Sequence, residues 1–591
     1  MSATLATWLE RAAGFPDRGL RFLDRAERAT WLGWDEIHAR SRRLAGGLLA
    51  SGIAPGERVA LVFPTSPEFV LGFFATLLAG AVPVPLYPPA RLGRLDEYHA
   101  QTARLLLGAG CRLVLADPRV RRLLGESLEA ARPELGCRTL EELPAAAESA
   151  IEVAPQDLGL VQFSSGTTFQ PKPVALSHRA LLAQVRILNG FWPDSPELVH
   201  SGVSWLPLYH DMGLIGGVLC ALERPGTLTL IGPEAFVARP ALWLRAISRY
   251  RATISPAPNF AYGLCAAKVR DEELDGVDLS SWRVALNGAE PVAPEVLRAF
   301  CQRFAPFGFR AAAMTPVYGL SEAALAVTFS ALDRPFRSAR FDRAALARGE
   351  VRESADGREI VAVGRPVPGF SIELRGEGGT LTPAGRVGRI FARGPSLMQG
   401  YLGQPEATTS ALRDGWLDTG DLGFVHDGEL YLTGRAKDVL ILRGRNHAPE
   451  DVEQALVGLD GARAGCAVAA SYLPEGSGRE VLAVFVEHRR EAANELRQSL
   501  PRRVSDAVLA RAGLVVDEVH VLAPGTLPRT SSGKLRRGET VRRHLAGDLV
   551  APAAVTWPRL AGALWRSRRA LGRAARVASH PDRGAIDAHE D

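Results

Sequence analysis

Paired thiols are missing from this chain. Its six cysteines stand at positions 111, 137, 220, 265, 301 and 466, the closest two 26 positions apart. With no Cys-x-x-Cys and no Cys/His run at zinc spacing, a disulfide framework and a zinc ribbon are excluded, and a reducing cytoplasm is expected. The first twenty residues carry Glu10, Arg11, Asp17 and Arg18 and lack the apolar core of a secretory leader. A strong charge of one sign is missing too. The 70 Lys and Arg outnumber 65 acids by only 5, and residues 551–591, with seven Arg and four acids, supply +3 of that. A body so nearly neutral is not expected to bind nucleic acid. One uncharged stretch of 18 residues, Phe69 to Leu86, stands at the lower limit for crossing a bilayer. Gly80, Pro83 and Pro85 interrupt it, so it reads as a buried helix from about Glu68, a glycine cap and a short buried strand. No integral membrane protein is expected.

What is present is ordinary globular material. Over 591 residues, 47 % are hydrophobic and 23 % charged, which excludes wholesale disorder and predicts several packed units. Short Val/Ile/Leu runs at 58–63, 82–86, 112–116, 158–163 and 228–231 alternate with amphipathic stretches at 34–51, 95–108 and 180–189. That alternation predicts an α/β fold with buried, largely parallel sheet. Runs at 370–374, 388–392 and 429–432 sit among Gly and Pro turns and predict a small antiparallel β region. From about Gly434 a compact last unit is expected, with helices near 449–457 and 492–508 and strands at 467–470 and 481–486. An Arg-rich stretch, 330–359, separates two blocks as an insertion or linker, and no internal repeat is found.

Chemistry-bearing residues fall in six short runs. The apolar 160–163 strand leads into Ser164-Ser165-Gly166-Thr167-Thr168, with Lys172 a few positions on. Hydroxyls and successive N–H groups suit phosphate oxygens, and the lysine adds a mobile point charge. The Gly-Lys-Ser/Thr ending of a Walker loop is absent, and taken alone such a run is more often a plain turn. Tyr209-His210-Asp211 sets a histidine beside an acid, suited to a carboxylate substrate or to a structural hydrogen bond. Tyr318-Gly319-Leu320-Ser321-Glu322 offers an aromatic face, a hydroxyl and a hard oxygen ligand for Mg²⁺ in one turn. The acidic turn 416–421 ends on Asp421, which suits the two hydroxyls of a ribose or simply a surface turn. Arg435 and Lys437 fall at the unit boundary. The 529–534 run puts Lys534 on a small-residue loop, or forms a solvated basic loop beside Arg536 and Arg537.

In this order the six runs resemble the adenylate-forming superfamily of acyl-CoA synthetases, nonribosomal-peptide adenylation domains and luciferases, over roughly residues 5 to 545. Segments 204–213, 254–262, 279–292 and 443–453 are similar to fatty acyl-AMP ligases. The resemblance implies an ATP- and Mg²⁺-dependent ligase. It would activate a fatty acid as acyl-adenylate, release pyrophosphate and pass the acyl group to an acyl carrier protein rather than to CoA, with a fatty acyl-CoA synthetase sharing the first step as the runner-up. Matched motif by motif, Ser164, Ser165, Gly166, Thr167, Thr168 and Lys172 would cradle the ATP phosphates. Gly288, Ala289, Glu290 and Pro291, with Tyr318 and Gly319, would enclose the adenine. Ser321 would touch phosphate, Glu322 would hold Mg²⁺, and Asp421 and Arg435 would hold the ribose. Lys437 matches the hinge and Lys534 the catalytic lysine of a small domain; His210 and Lys172 join it as catalytic candidates. An inactive nucleotide- or lipid-binding relative is the alternative of another class, and the intact Lys172, Glu322, Asp421 and Lys534 argue against it.

The same resemblance implies a large N-terminal domain over 1–434, holding an insertion at about 330–364 and a β-barrel-like region at about 365–434. A small, mobile α+β domain would follow over 435–545. In the insertion, Phe336, Phe341, Ala344, Ala345 and Leu346 are expected to pack on the large domain while the arginines stay in water. The basic tail, 546–591, is expected as a solvated segment, with an amphipathic helix carrying Arg559, Arg566, Arg569, Arg573 and Arg576 on one stripe as the alternative. Two departures from the superfamily pattern, Pro173 after the loop lysine and the pair Phe169-Gln170, predict a stiffer loop end.

Overall fold

Apolar runs set between amphipathic stretches must bury both faces, and parallel sheets covered by helices allow it. The computed structural model describes residues 3–89, 92–164, 171–192, 195, 198–442, 445–474, 480–530 and 533–579. Arg58–Val62, Val82–Leu86, Cys111–Ala116 and Cys137–Arg138 form a four-stranded parallel sheet. Leading into it, helix Pro67–Leu78 is capped by Ser66, and Gly80 turns the chain at φ 71°. Val82–Leu86 then runs along the sheet edge, where Pro83 and Pro85 are tolerated.

A nine-stranded sheet is ordered Arg365–Pro366, Ala326–Phe329, Met314–Gly319, Val284–Asn287, Ile254–Ala257, Gly202–Ser204, Thr227–Ile231, Gly19–Leu23 and Ala29–Gly33. Its middle, from Met314–Gly319 to Gly19–Leu23, is parallel, and antiparallel pairs finish both edges. Trp205, Phe236, Trp243, Tyr262, Trp282 and Phe300 are buried together in one core cluster. Ser371–Arg375, Gly388–Arg393, Trp416–His426 and Glu429–Arg435 build the smaller antiparallel region. Beyond it, strands Ala462–Tyr472, Val481–His488 and Glu518–Leu522 and helices Pro449–Ala455, Asn494–Ala512 and Arg537–Leu545 have a core of their own.

The Arg-rich stretch folds against this frame. Ser338–Phe341 pairs with Arg358–Val361, with helix Arg343–Ala347 between them. Phe341 is buried with its ring 4.8 Å from Phe424 and 5.5 Å from Tyr431, and Ala345 is buried beside it. Arg358 meets Asp451 of the last unit at 2.8 Å.

At the tail the helical alternative forms in place of the solvated segment. Trp557–Ser579 is a helix lying along helix Gly125–Ala131. Ala563, Ser567 and Ala570 are buried, and Ser567 Oγ accepts from the Gly125 N–H at 2.8 Å. Arg566 pairs with Glu126 at 2.9 Å, and Arg573 with Glu129. The buried stripe is thus one of small residues, while Leu564 and Trp565 stay exposed. Gly562, about 1 kcal/mol poorer than Ala in a helix, is tolerated because tertiary packing outweighs propensity.

Candidate active site

A hairpin carries the first motif. Ser164 follows strand Leu158–Phe163, Lys172 precedes strand Pro173–Ser177, and Ser164 N–H donates to the Lys172 carbonyl at 2.9 Å. Residues 165–170, including Ser165, Gly166, Thr167 and Thr168, lie outside the described residues. Pro173 opens its strand, a place where a missing N–H is tolerated, and its carbonyl accepts from Leu402 at 2.8 Å. Lys172 Nζ sits 4.4 Å over the Tyr401 ring, and the Tyr401 hydroxyl donates to Glu322 Oε1 at 3.0 Å. Burial lowers the Lys172 pKa, and repulsion from Lys437 adds to the effect. Burial likewise raises Glu322, against the pull of its Tyr401 hydrogen bond. A carboxylate held this way gains from a nearby cation, and as a hard oxygen donor it fits Mg²⁺.

Parallel strands end together, and their carboxyl ends form the next wall of the cleft. Gly288 follows Val284–Asn287, while Tyr318 and Gly319 finish Met314–Gly319. A Cβ on Gly288 would stand 2.9 Å from the Val317 carbonyl oxygen, and one on Gly319 1.8 Å from that of Leu325. Both positions therefore exclude a side chain. Ala289 holds φ 70°, a left-handed conformation that costs energy outside glycine. Glu290 accepts from the Phe260 N–H at 2.6 Å, and its own pKa is raised by burial. Pro291 completes this turn.

Asp421 is the hub of the opposite wall. Its Oδ2 accepts from the Tyr318 hydroxyl at 2.7 Å and its Oδ1 from Arg435 Nε at 3.0 Å. Burial and the Asp421 charge push the Tyr318 hydroxyl well above its usual range, so it stays a neutral donor. A carboxylate has about four lone-pair directions, which leaves room for ribose hydroxyls. Burial opposes the Arg435 charge, but Asp421, Asp438, Tyr318 and Glu322 outweigh it and raise the pKa. Ser321 Oγ donates to Asp211 Oδ2 at 2.5 Å. His210 next to it is half-buried, its ring 5.0 Å from that of Tyr209.

Lys534 enters this cleft from the last unit. A tight turn presents it: Thr530 N–H donates to its carbonyl at 2.8 Å, its own N–H to Thr530 Oγ1 at 3.1 Å, and Gly533 supplies φ 90°. Burial lowers the Lys534 pKa, and the charges acting on it are, in order, Asp211, Arg435, Glu290 and Asp421. All four come from earlier in the chain. Lys437 lies on the turn that follows Glu429–Arg435, where Ala436 N–H donates to Gly420 and Asp438 N–H to Arg435, both at 3.0 Å. Arg537 locks the same seam, reaching Asp438 at 3.2 Å, Glu450 at 2.9 Å and Glu453 at 2.7 Å.

Lysine is otherwise almost unused. Among 70 basic Lys and Arg residues only four are lysine, at 172, 268, 437 and 534, and three of these belong to the cleft or its hinge motif. Where a positive charge of any shape serves, this chain uses arginine; a compact, mobile ammonium is kept for these positions. Two residues of the cleft carry no motif of their own. Tyr401 is joined to Glu322 across 79 positions by the pairing of Gly400–Tyr401 with Pro173–Ser177, and Asp211 is recognisable only as the neighbour of His210.

Known proteins resemble this chain in sequence and fold. The profile of the AMP-binding enzyme family matches residues 8–402. A Caulobacter vibrioides protein provisionally named acyl-CoA synthetase is 39 % identical over 517 residues, 85 % of this chain and 88 % of its own. The long-chain-fatty-acid–AMP ligase FadD26 of Mycobacterium marinum is 32 % identical over 555 residues, 87 % of this chain and 92 % of that protein. A solved structure from work on fatty acyl-adenylate ligases of E. coli and L. pneumophila superposes with a TM-score of 0.86 at 34 % identity, covering 92 % of this chain and 98 % of that one.

Proposed function

Because the chain belongs to the AMP-binding enzyme family, we propose that it is a fatty acyl-AMP ligase that loads an acyl carrier protein. The observation that carries this reading is the Lys534 ammonium in the field of Asp211, Glu290 and Asp421, the groups of a nucleotide cleft. A carboxylate is a poor acyl donor because its leaving group would be oxide. Its oxygen attacks the α-phosphorus of ATP, the bond to the bridging oxygen breaks, and pyrophosphate leaves with the electron pair. The help needed is alignment and neutralisation of phosphate charge. Lys534 supplies positive charge where negative charge develops, between the incoming carboxylate and the α-phosphate oxygens. Lys172 and the hydroxyls from Ser164 to Thr168 hold the phosphates, and Ser321 adds a donor. Gly288 to Pro291 with Tyr318 and Gly319 flank the base, Asp421 and Arg435 take the ribose, and His210 orients the fatty acid carboxylate. Glu322 would hold Mg²⁺, which shields the phosphate charge when bound.

In the second step a phosphopantetheine thiol attacks the acyl carbonyl and AMP leaves. Rotation about the turn at Lys437 withdraws Lys534 and admits the thiol. The choice of a carrier protein over CoA rests on the resemblance of this stretch to the insertion of fatty acyl-AMP ligases, and the stretch is a built part of the molecule, its Phe341 sunk among Phe424 and Tyr431. An acyl-CoA synthetase, the name given to the Caulobacter relative, shares the first step and is the second reading. Six cysteines without disulfide or zinc spacing support work in a reducing cytoplasm. No described helix is long and apolar enough to cross a membrane.

ATP–pyrophosphate exchange across a series of fatty acids tests the first step, and thioester formation on a phosphopantetheinylated carrier or on CoA tests the second. Acid-dependent exchange with thioester on the carrier is expected. Exchange with CoA as the better acceptor selects the second reading, and no exchange with any acid overturns both.

A further inference from the structure

Away from the cleft, on the far strand of the last unit, three potential metal ligands converge that no spacing in the chain announces. Glu518 and His520 lie two apart on strand Glu518–Leu522 and so share one of its faces. His544 comes from the last turn of helix Arg537–Leu545, 24 positions beyond His520. One ligand atom of each lies within 4.8 Å of the other two. Glu518 Oε2 is 3.0 Å from His520 Nε2 and accepts from the Tyr472 hydroxyl at 2.6 Å, and that hydroxyl is 3.3 Å from His544 Nε2. Both imidazoles are held by Phe485: the His520 ring stacks on it at 4.8 Å and the His544 ring meets its edge at 5.1 Å.

We propose that Glu518, His520 and His544 bind one divalent transition-metal ion of the zinc class. Two imidazoles and one carboxylate are a donor set for Zn²⁺, Co²⁺ or Ni²⁺; Mg²⁺ and Ca²⁺ prefer oxygen alone. Three protein ligands leave one tetrahedral position for water, and all three residues are partly exposed, so an ion can enter. Tyr472 keeps its hydrogen bond to Glu518 and orients the carboxylate from outside the coordination shell. The rings are fixed before an ion arrives, so little ordering remains for binding to complete. The consequence reaches the chemistry by a covalent route. Lys534 lies on the segment between His520 and His544, and one ion bound to strand and helix pins both ends of that segment. The site is separate from Glu322, which lies in the cleft.

The test uses the full chain stripped with a chelator and then titrated with Zn²⁺ against a chromophoric competitor, and in parallel with Co²⁺. One high-affinity zinc per chain is expected, together with the intense visible d–d bands of tetrahedral Co²⁺. His520→Ala/His544→Ala loses that ion and those bands, and Tyr472→Phe weakens zinc about tenfold or more. Zinc should also raise the melting temperature of the native protein and not that of the double variant. Equal zinc uptake by the two chains, or Co²⁺ bands of octahedral strength only, overturns the site. Melting of the double variant in chelator, compared with the stripped native chain, separates loss of the ion from loss of the fold. Glu518→Gln removes one anionic ligand without touching the rings, and unchanged zinc affinity in it would likewise count against the assignment.

Discussion

The cleft and the return helix Trp557–Ser579 both join segments far apart in the chain, by opposite means. The cleft is held by charge: Asp421 ties Tyr318 to Arg435, Tyr401 lies between Lys172 and Glu322, and Lys534 enters among Asp211, Glu290 and Asp421. The helix is held by shape: Ala563, Ser567 and Ala570 lie so close to helix Gly125–Ala131 that a Cβ on Gly125 would be 2.0 Å from the Ser567 carbonyl oxygen. Its ion pairs, Arg566–Glu126 and Arg573–Glu129, flank that seam at the surface and contribute little. A charged assembly can be undone without unfolding anything, which suits the opening and closing proposed for this site. A packed seam fixes a segment for the life of the fold.

Changes in the cleft should therefore act on rate. Lys534→Ala should lower acid-dependent pyrophosphate exchange by about 10²–10³-fold or more with ATP binding retained. Lys534→Arg should recover little of it, because a planar guanidinium cannot replace a compact ammonium at a crowded turn. Substantial exchange by either variant would remove the assigned role. Lys437→Pro stiffens the turn between the units and should slow transfer to the thiol by roughly a hundredfold through misplacement, with a smaller loss of adenylation. Equal loss in both half-reactions, measured by single-turnover quench, would break the hinge reading.

Acid should separate the two regions without mutation. His178 starts the helix that follows the Lys172 hairpin; it is buried, its Nδ1 accepts from the Leu5 N–H at 3.3 Å, and burial lowers its pKa to about 4. Above pH 6.5 it is neutral in both folded and unfolded chains and adds no pH dependence. As pH falls from about 6.5 to about 4 the unfolded chain gains a proton that the folded one refuses, so stability drops by up to about 3 kcal/mol. Glu129 on the return helix's seam is also shifted down, by its Arg573 hydrogen bond, so it keeps its charge below the usual carboxylate range and its contribution is lost only in stronger acid than that of His178. Hydrogen exchange at pH 5 should then show the Pro173–Ser177 strand and helix His178–Phe191 loosening before Gly125–Ala131. His178→Gln should flatten the acid limb of the melting curve, and an unchanged limb would assign it to other groups.

How much of this could be read beforehand follows from the same contrast. The proposed contacts to phosphate, ribose and Mg²⁺ restrict residue type, so Ser164, Lys172, Tyr318, Glu322, Asp421, Arg435 and Lys534 stand out in order even where each run alone is ordinary. Val82–Leu86 shows in its apolar run because parallel sheet buries both faces, and Leu158–Phe163, although antiparallel to Pro173–Ser177, shows because it too is buried on both faces. Tyr401 stays hidden because its partner is set by the pairing of Gly400–Tyr401 with Pro173–Ser177, and one tyrosine of nine looks like another. The helix at 557–579 misleads because its charged stripe suggests water, while the contact runs through Ala563, Ser567 and Ala570. Small residues make no pattern that distinguishes a docked seam from an idle one. Glu518, His520 and His544 are equally silent, since strand and helix bring them together only after folding.

The smallest expected effect is the sharpest test of the seam. Gly125 opens its helix with ordinary backbone angles, so alanine there gains up to about 1 kcal/mol of helix propensity in isolation. In the whole chain the added methyl meets the Ser567 backbone, and overpacking should cost about 1–3 kcal/mol, a net loss near 1 kcal/mol. Gly125→Ala should therefore lower the melting temperature of the full chain by a few degrees and leave pyrophosphate exchange intact. In a chain ending at residue 556 the same substitution should be neutral or mildly stabilising, because the carbonyl it strikes is gone. The sign change between the two backgrounds identifies packing as the cause. An equal effect in both would mean that the helix is not held at this seam, and the division between a cleft closed by charge and a strap closed by shape would have to be redrawn.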